Sequence, residues 1–558
     1  MQKYLHKKTA FLLAVIILLG IFLRISNISP FKFYPDAYQS LLVSGNITNY
    51  HSVVGYLGTN GMLFPEFFMW TRPLYPLLIA LFSLILKDPV FSAQTISFLG
   101  SVIAIPLSYV MTKAIFRSPA LGILGALLVS LSFSLVVWSG FIMTEATGVF
   151  CMMAFLVSLF TSLSKKPAPA NIHDLLTGFL LTLAIFARYE YAIILLPLLL
   201  LLLKQSQYPA WRIINILAVF LLTSLLVVTQ LFPIASVVTI IFTQLHDLLL
   251  RGGEIAAVFI VCALTLTFFP RHYRVIVTKI LYKLTIGLLW ITALYLILQR
   301  FLLPNSGLFW KELSSIRNFT SHDILLSIFS LIGFTLLLKN EKYRQVGIFA
   351  LLSAVSLGLI YNRINPEMDR YMTHLIPFLL IPATYGLSRT IRKGNAYQFP
   401  FILLLIPLFF IQGLLSYNGI KNWSDKSWFR ISYEERAAKM MRRYIRSKNP
   451  ILIVSFPEPY YFYTKATTQS VTDTYPFIYI DDSLNSSPAV IVSDMGMKDL
   501  FPHFATFLEK HISDRITTHF QIGERYHFAN RSEIETSPTT VYETTIGELK
   551  KRIKNSPH

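Results

Sequence analysis

Thr9-Ala10-Phe11-Leu12-Leu13-Ala14-Val15-Ile16-Ile17-Leu18-Leu19-Gly20-Ile21-Phe22-Leu23-Arg24-Ile25-Ser26 is apolar almost throughout and is followed closely by Phe33-Tyr34-Pro35-Asp36-Ala37-Tyr38. A run of this length spans the hydrocarbon core of a bilayer as a helix. Ahead of it stands the basic segment Met1-Gln2-Lys3-Tyr4-Leu5-His6-Lys7-Lys8, and no small-residue cleavage site follows. The expectation is an uncleaved first helix with a cytoplasmic N-terminus. Asp36 then begins a polar loop at the outer face. A carboxylate at that depth is costly to bury and marks a water-filled substrate path or a catalytic base.

The rest of the chain reads the same way. Of its 558 residues 54% are hydrophobic and 14% charged, with a mean hydropathy of +0.56, outside the range of a soluble globular domain. The net charge of +20 sits in short clusters between apolar runs, as the positive-inside rule requires, and not in an aromatic-interleaved basic stripe. Nucleic acid is therefore not an expected partner, whereas membrane lipids are. Cys151 and Cys262 each lie inside an apolar run, which argues against a disulfide framework or a thiolate metal site.

Thirteen spans are expected, at 9–26, 92–112, 119–139, 144–163, 174–187, 190–203, 212–230, 254–270, 283–303, 323–339, 344–361, 370–389 and 398–417. This count places Lys113/Arg117, Lys165/Lys166, Lys204/Arg212, Arg271/His272/Arg274, Lys339/Lys342/Arg344 and Arg389/Arg392/Lys393 together in the cytoplasm. To preserve that agreement, 73–87 is read as a juxtamembrane helix and 231–250 as an interfacial or re-entrant piece. After Tyr417 charges appear and apolar runs shorten. A helix is expected over 433–448, strands at Ile451–Val454 and Ala489–Val492, a helix over 497–511, and a solvated basic tail at Lys550-Lys551-Arg552-Ile553-Lys554. The fold class is thus mainly α: a polytopic bundle over 1–417 with a first outer loop at 27–91, and a small extracytoplasmic α/β domain over 418–558.

On this topology the polar residues gather outside. Asp36 could take a proton from an acceptor hydroxyl or amine, or hold a metal; a helix cap or loop salt bridge is the plainer reading. Tyr34 and Tyr38 flank it as pocket or belt residues. Glu145, after Thr144 at the start of a span, is a second acid, though a carboxylate is favoured at any helix N-terminus. Thr71-Arg72-Pro73-Leu74-Tyr75-Pro76 presents a guanidinium fork suited to phosphate and a further pocket tyrosine, Tyr75. Arg188 and Glu190 occupy a hinge between apolar runs, where an ion pair is favoured for Glu190. In Asn362-Arg363-Ile364-Asn365-Pro366-Glu367-Met368-Asp369-Arg370-Tyr371-Met372-Thr373-His374, Arg363 and Tyr371 line a pocket, and Arg370 and His374 share a helical face able to grip a phosphate. Neither a zinc-protease His-Glu-x-x-His nor a phosphate-cradling glycine loop occurs.

In order and spacing, Asp36, Arg72-Pro73-Leu74-Tyr75-Pro76, Thr144-Glu145, Ala187-Arg188 and Arg370-Tyr371 with Pro377 resemble the GT-C superfamily of integral membrane glycosyltransferases. The branch they resemble contains protein O-mannosyltransferases and lipid A aminoarabinose transferases. The resemblance implies transfer of a sugar from a polyprenyl-phosphate carrier to a lipid, glycan or protein acceptor on the extracytoplasmic side of the cell membrane, with inversion. Asp36 would be the general base and Glu145 a second acid near the acceptor. Arg72, Arg188, Arg370 and His374 would meet the carrier phosphate. A divalent metal held by Asp36 and Glu145 stays open beside metal-free base catalysis. The rival is a transporter or flippase of lipid-linked saccharides, which predicts repeated halves and polar residues at the midplane; no internal repeat is visible.

Overall fold

The computed structural model describes residues 2–28, 35–50, 72–165, 171–205, 209–231, 319, 322–364, 369–392 and 398–419, and, towards the C-terminus, 437–442, 445, 450–454, 468–470, 485–493, 497–498, 502–528 and 531–555. The chain forms two compact units, one of Met1–Ile28, Arg72–Tyr75 and Gln94–Gly419, the other of Ser29–Thr71, Pro76–Ala93 and Ile420–His558.

The first unit is a helix bundle. Its helices run α1 Gln2–Ser26, α2 Pro35–Tyr50 (which belongs to the second unit), α3 Leu74–Leu86, α4 Pro89–Phe116, α5 Pro119–Ser130, α6 Phe133–Ser139 and α7 Thr144–Leu163. Of these, α3 from Pro76 on and α4 up to Ala93 also belong to the second unit. The first unit continues as α8 Ile172–Ala187, α9 Leu195–Gln205, α10 Pro209–Leu231, α11 Ile324–Lys339, α12 Arg344–Ile364, α13 Ile376–Arg392 and α14 Gln398–Tyr417. Among the described residues, three helical stretches, Lys7–Ser26, Pro89–Phe116 and Thr144–Leu163, are long and apolar enough to cross a membrane. This is a polytopic membrane protein. Of the thirteen expected spans, 254–270 and 283–303 lie outside the described residues, as does 232–250. With 13 residues α3 rises about 20 Å, short of the roughly 30 Å hydrocarbon core.

Three expected spans are not single α-helices. The run 119–139 divides into α5 and α6, bent by 55°. The spans expected at 190–203 and 370–389 each open with a 3-10 helix, Tyr189–Ile194 before α9 and Asp369–Leu375 before α13. Proline explains both. Pro197 and Pro377 lie in the first turns of α9 and α13, and each lacks an N–H and crowds the carbonyl four residues back, so α-helix cannot extend backwards through it. The preceding residues take the tighter 3-10 winding. The first loop also differs from expectation, because Pro35 and Asp36 are the first two residues of a 16-residue helix. Proline is pre-set for that position, and an acid there is favoured by the helix dipole.

At the bend, side chains meet backbone groups that the break leaves free. The guanidinium of Arg24, fully buried on α1, donates to the carbonyls of Val129 (3.2 Å), Ser130 (3.2 Å) and Gly20 (3.0 Å) and to Ser101 Oγ (2.6 Å). Ser416 and Gln412 of α14 donate to the Leu131 carbonyl at 2.6 and 3.1 Å. On the other side Asp323 accepts from the Phe133 and Ser134 amides at 2.9 and 3.1 Å, and Ser132 accepts from the Leu135 amide. A cation on the carbonyl end of α5 and an anion on the amide end of α6 complement both helix dipoles. With no water in a bilayer core, such a break survives only when its polar groups are matched inside the protein.

In the second unit a five-stranded sheet has the order β2-β1-β3-β5-β4, with β1 Ile451–Val454, β2 Thr468–Ser470, β3 Pro488–Ser493, β4 Ile516–Phe528 and β5 Arg531–Thr545. β1 runs parallel to β2 and β3, while β5 is antiparallel to β3 and β4. Alternation along the strands sends Ile451, Ile453, Ala489, Ile491 and Tyr542 to one face. There they meet Phe504, Phe507 and Leu508 of α15 (Pro502–His511) and Ile546, Leu549 and Ile553 of α16 (Ile546–Lys554). Leu452, Val454, Val490, Val492 and Val541 face the other way, onto Ala437, Ala438 and Met441. The basic C-terminal stretch is therefore not a solvated tail. It is a helix whose apolar residues at i, i+3 and i+7 close the core.

Candidate active site

The two 3-10 helices and the start of α7 meet in the bundle. Glu145, 1% exposed, lies in the first turn of α7 and accepts from Arg188 Nη2 at 2.5 Å. Arg370 Nε approaches the same Glu145 oxygen at 3.8 Å. Arg188 Nη1 lies 3.6 Å from Glu190, which takes a 2.7 Å bond from Arg72. Among the described residues three guanidiniums therefore face two carboxylates, with one positive charge in excess. The ion pair expected for Glu190 is present. Its main partner is Arg72, 118 residues away in sequence, which no local pattern could have revealed.

Aromatic rings wall the cluster. Tyr371 lies under both Arg370 (4.7 Å) and Arg188 (5.4 Å), and Arg370 also donates to its hydroxyl at 2.8 Å. Tyr361 of α12 stacks on Tyr371 at 5.4 Å and touches His374 at 5.5 Å. His374 Nδ1 is 2.9 Å from the Tyr191 hydroxyl. The 3-10 period of three residues puts Tyr371 and His374 on one face. The expected pairing of Arg370 with His374 on an α-helical face does not arise, and the two point to different partners. Gly148 lets the pieces close up, since a Cβ there would stand 3.0 Å from Arg188 Cγ and 3.1 Å from His374 Cε1. Glu145 Oε2, Arg188 Nε, His374 Nε2 and the Tyr361 hydroxyl have no hydrogen-bond partner among the described residues.

Tyr75 is fully buried, and its hydroxyl shares a 2.7 Å hydrogen bond with Ser97. Tyr38, on α2, is 1% exposed. Asp36 and Arg363 lie in α2 and α12, but their side chains, like all of Tyr34, fall outside the described residues. Guanidinium company at Glu145 suits an anion more than a cation. Among the described residues no group of three or more His, Cys, Asp or Glu side chains could hold a metal. Tyr191, Tyr361 and Gly148 escaped the sequence reading. Tyr191 adjoins the Arg188-Tyr189-Glu190 hinge, and Gly148 lies one turn past Glu145, so position relative to the charged residues was the available signal.

Residues 71–235, which carry Arg72, Glu145, Arg188 and Glu190, match the family model of dolichyl-phosphate-mannose-protein mannosyltransferase. The fold is GT-C. The oligosaccharyltransferase of Archaeoglobus fulgidus, tethered to an acceptor peptide containing the NVT sequon, superposes with a TM-score of 0.56 at 12% identity over 95% of this chain and 74% of that one. Its apo form gives 0.58 at the same identity and coverage. ArnT from Cupriavidus metallidurans, bound to undecaprenyl phosphate, gives 0.52 at 11% identity over 96% of this chain and 97% of its own. No curated protein matches the chain in sequence.

Proposed function

We propose that the chain is a glycosyltransferase that moves a sugar from a polyprenyl-phosphate carrier to a lipid, glycan or protein acceptor at the extracytoplasmic face of the cell membrane. The observation that carries this reading is the cluster of buried Arg188 and Arg370, at two helix openings beside the first turn of α7, with half-buried Arg72, whose charges exceed those of the described carboxylates they meet. When the glycosidic bond breaks, negative charge grows on the departing carrier phosphate. Guanidiniums already oriented by carboxylates and rings stabilise that charge without reorganising. The match over 71–235 to a dolichyl-phosphate-mannose family and the likeness to an undecaprenyl-phosphate-bound fold agree with such a donor.

Asp36 takes the acceptor proton as the acceptor oxygen or nitrogen attacks the anomeric carbon. The bond from that carbon to the phosphate oxygen breaks, the carrier phosphate leaves with the electron pair, and the configuration inverts. Arg370 and Arg188, both in contact with Glu145, meet the phosphate, and Arg72 flanks them through Glu190. The test is transfer of labelled sugar from polyprenyl-phosphate donors in membranes with matched amounts of wild-type chain and Asp36→Asn. Transfer by the wild type and its loss in the mutant support the reading. Equal transfer removes Asp36 from the mechanism, and failure with every donor turns the reading towards saccharide transport.

A further inference from the structure

The two halves of the arginine cluster are carried on separate segments, Arg72 just before α3 and Glu145 just inside α7. One side chain touches the backbone of the second and the side chain of the first. Ser97 of α4, fully buried, donates from Oγ to the Met143 carbonyl at 3.0 Å and receives the Met143 amide at 3.4 Å. The same oxygen shares its 2.7 Å bond with the hydroxyl of Tyr75, three residues after Arg72. Met143 is the N-cap of α7 and makes no side-chain cap bond, and Ser97, from a neighbouring helix, takes the N-cap amide that the N3 side chain of a capping box would otherwise take. Glu145 follows two residues later.

α4 extends this hold in both directions. Gln94 donates to the Gly140 carbonyl at 3.4 Å, and Ser101 donates to the Leu135 carbonyl at 3.1 Å, so residues 94, 97 and 101 form one polar stripe along the segment between the helix bend and Glu145. Gly100, on the next face, lets α7 approach so closely that a Cβ would stand 3.3 Å from the Ala146 carbonyl. We propose that Ser97 and Tyr75 are positioning residues for sugar transfer: Ser97 fixes the Met143 backbone two residues before Glu145, and Tyr75 locks the Arg72 segment to that same oxygen. The salt bridges at Glu145 and Glu190, linked through Arg188, are thereby kept in register.

This inference rests on the arginine cluster being the donor-phosphate site, and two readouts separate it from that reading. The first needs no substrate: hydrogen exchange of the amides at 143–146 in the full-length protein, wild type against Ser97→Ala, Ser97→Thr and Tyr75→Phe. The second is steady-state transfer of labelled sugar from the polyprenyl-phosphate donor. Misplacement of a catalytic group by about 1 Å costs on the order of a hundredfold in rate. The expected result is faster exchange at 143–146 in Ser97→Ala and a ten- to hundredfold lower kcat with donor KM little changed. Ser97→Thr, which keeps the hydroxyl, restores both. Tyr75→Phe has a smaller effect, and Tyr75→Phe with Ser97→Ala is no worse than Ser97→Ala alone, because the two act along one path. Unchanged exchange and unchanged kcat in Ser97→Ala overturn the proposal, as does a rise in donor KM with kcat intact. Faster exchange in a protein whose wild type transfers no sugar supports the clamp and overturns the transferase reading instead.

Discussion

Arginine is buried at two kinds of helix break in this bundle, and the two are finished differently. At the bend between α5 and α6 the Arg24 guanidinium makes four hydrogen bonds, to three carbonyls and one hydroxyl, and Asp323 saturates the amides opposite. At the 3-10 openings of α9 and α13, Arg188 and Arg370 share carboxylates and aromatic faces, and Arg188 Nε, Glu145 Oε2 and His374 Nε2 are left without hydrogen-bond partners among the described residues. Buried polar atoms are costly unless they are matched. A matched cluster stabilises a fold; on the reading proposed above, the open valences of the other are the ones a ligand would fill. Burial alone does not separate the two, since Arg24 and Arg188 are both 0% exposed.

The sharpest way to break the comparison is to exchange the consequences. Arg188→Gln should lower transfer by about a hundred- to a thousandfold, the loss typical when one oriented donor to a developing anion is removed. Arg24→Gln should lower thermal stability and leave the kcat of the folded protein close to wild type. It strands at least one of the Val129 and Ser130 carbonyls, at a cost of about 1–3 kcal/mol for each unmatched group. Thermal unfolding in detergent and single-donor transfer rates decide the matter. A kcat loss in Arg24→Gln as large as that in Arg188→Gln would show that the two sites are not distinct in kind.

Much of this was legible in the sequence, and the boundary is physical. Charged residues at the ends of apolar runs are expensive enough to be informative, so Glu145, Arg188, Glu190, Arg370 and Arg72 stood out individually. Their pairing did not, because Arg72 and Glu190 or Arg188 and Glu145 meet only through tertiary packing. The 3-10 openings were hidden by the assumption of uniform α-helix, although Pro197 and Pro377 were the marks of both. The strands at 451–454 and 489–492 were visible as short apolar runs. The β4–β5 hairpin was not, because Thr, Glu, His and Arg dominate it: in β4 the alternating Ile516, Phe520, Ile522, Tyr526 and Phe528 are interrupted by Thr518 and Glu524, and β5 carries no such alternation.

Arg72 sharpens the comparison from within the site. It is partly exposed, at 19%, and holds Glu190 through a single 2.7 Å bond. A charge-assisted bond contributes roughly 1.5–3 kcal/mol net, so Arg72→Ala should cost about ten- to a hundredfold in kcat/KM, less than the loss at Arg188. Equal losses at the two positions would mean that Arg72 touches the donor as directly as Arg188 does.

The smallest effect is expected where a saturated arginine faces water. Arg552 of α16 grips Asp514 with two bonds of 2.6 and 2.9 Å, bonds Glu548 at 2.8 Å and donates to the His511 carbonyl at 2.6 Å. The hydrogen bonds from Arg552 hold the carboxyls of Asp514 and Glu548 below their usual range. A group whose folded pKa is depressed contributes stability that is present above its unfolded pKa and is lost as pH falls through the folded value. Arg552→Gln in the full-length protein should therefore lower stability slightly near neutral pH, and the difference from wild type should close as the solution is acidified below the ordinary aspartate range. Added salt should shrink it further, because exposed pairs are screened. A difference that persisted in acid would assign Arg552 a packing role through the His511 carbonyl. Saturation by itself would then be a weaker guide to electrostatic stabilisation than the Arg24 site suggests.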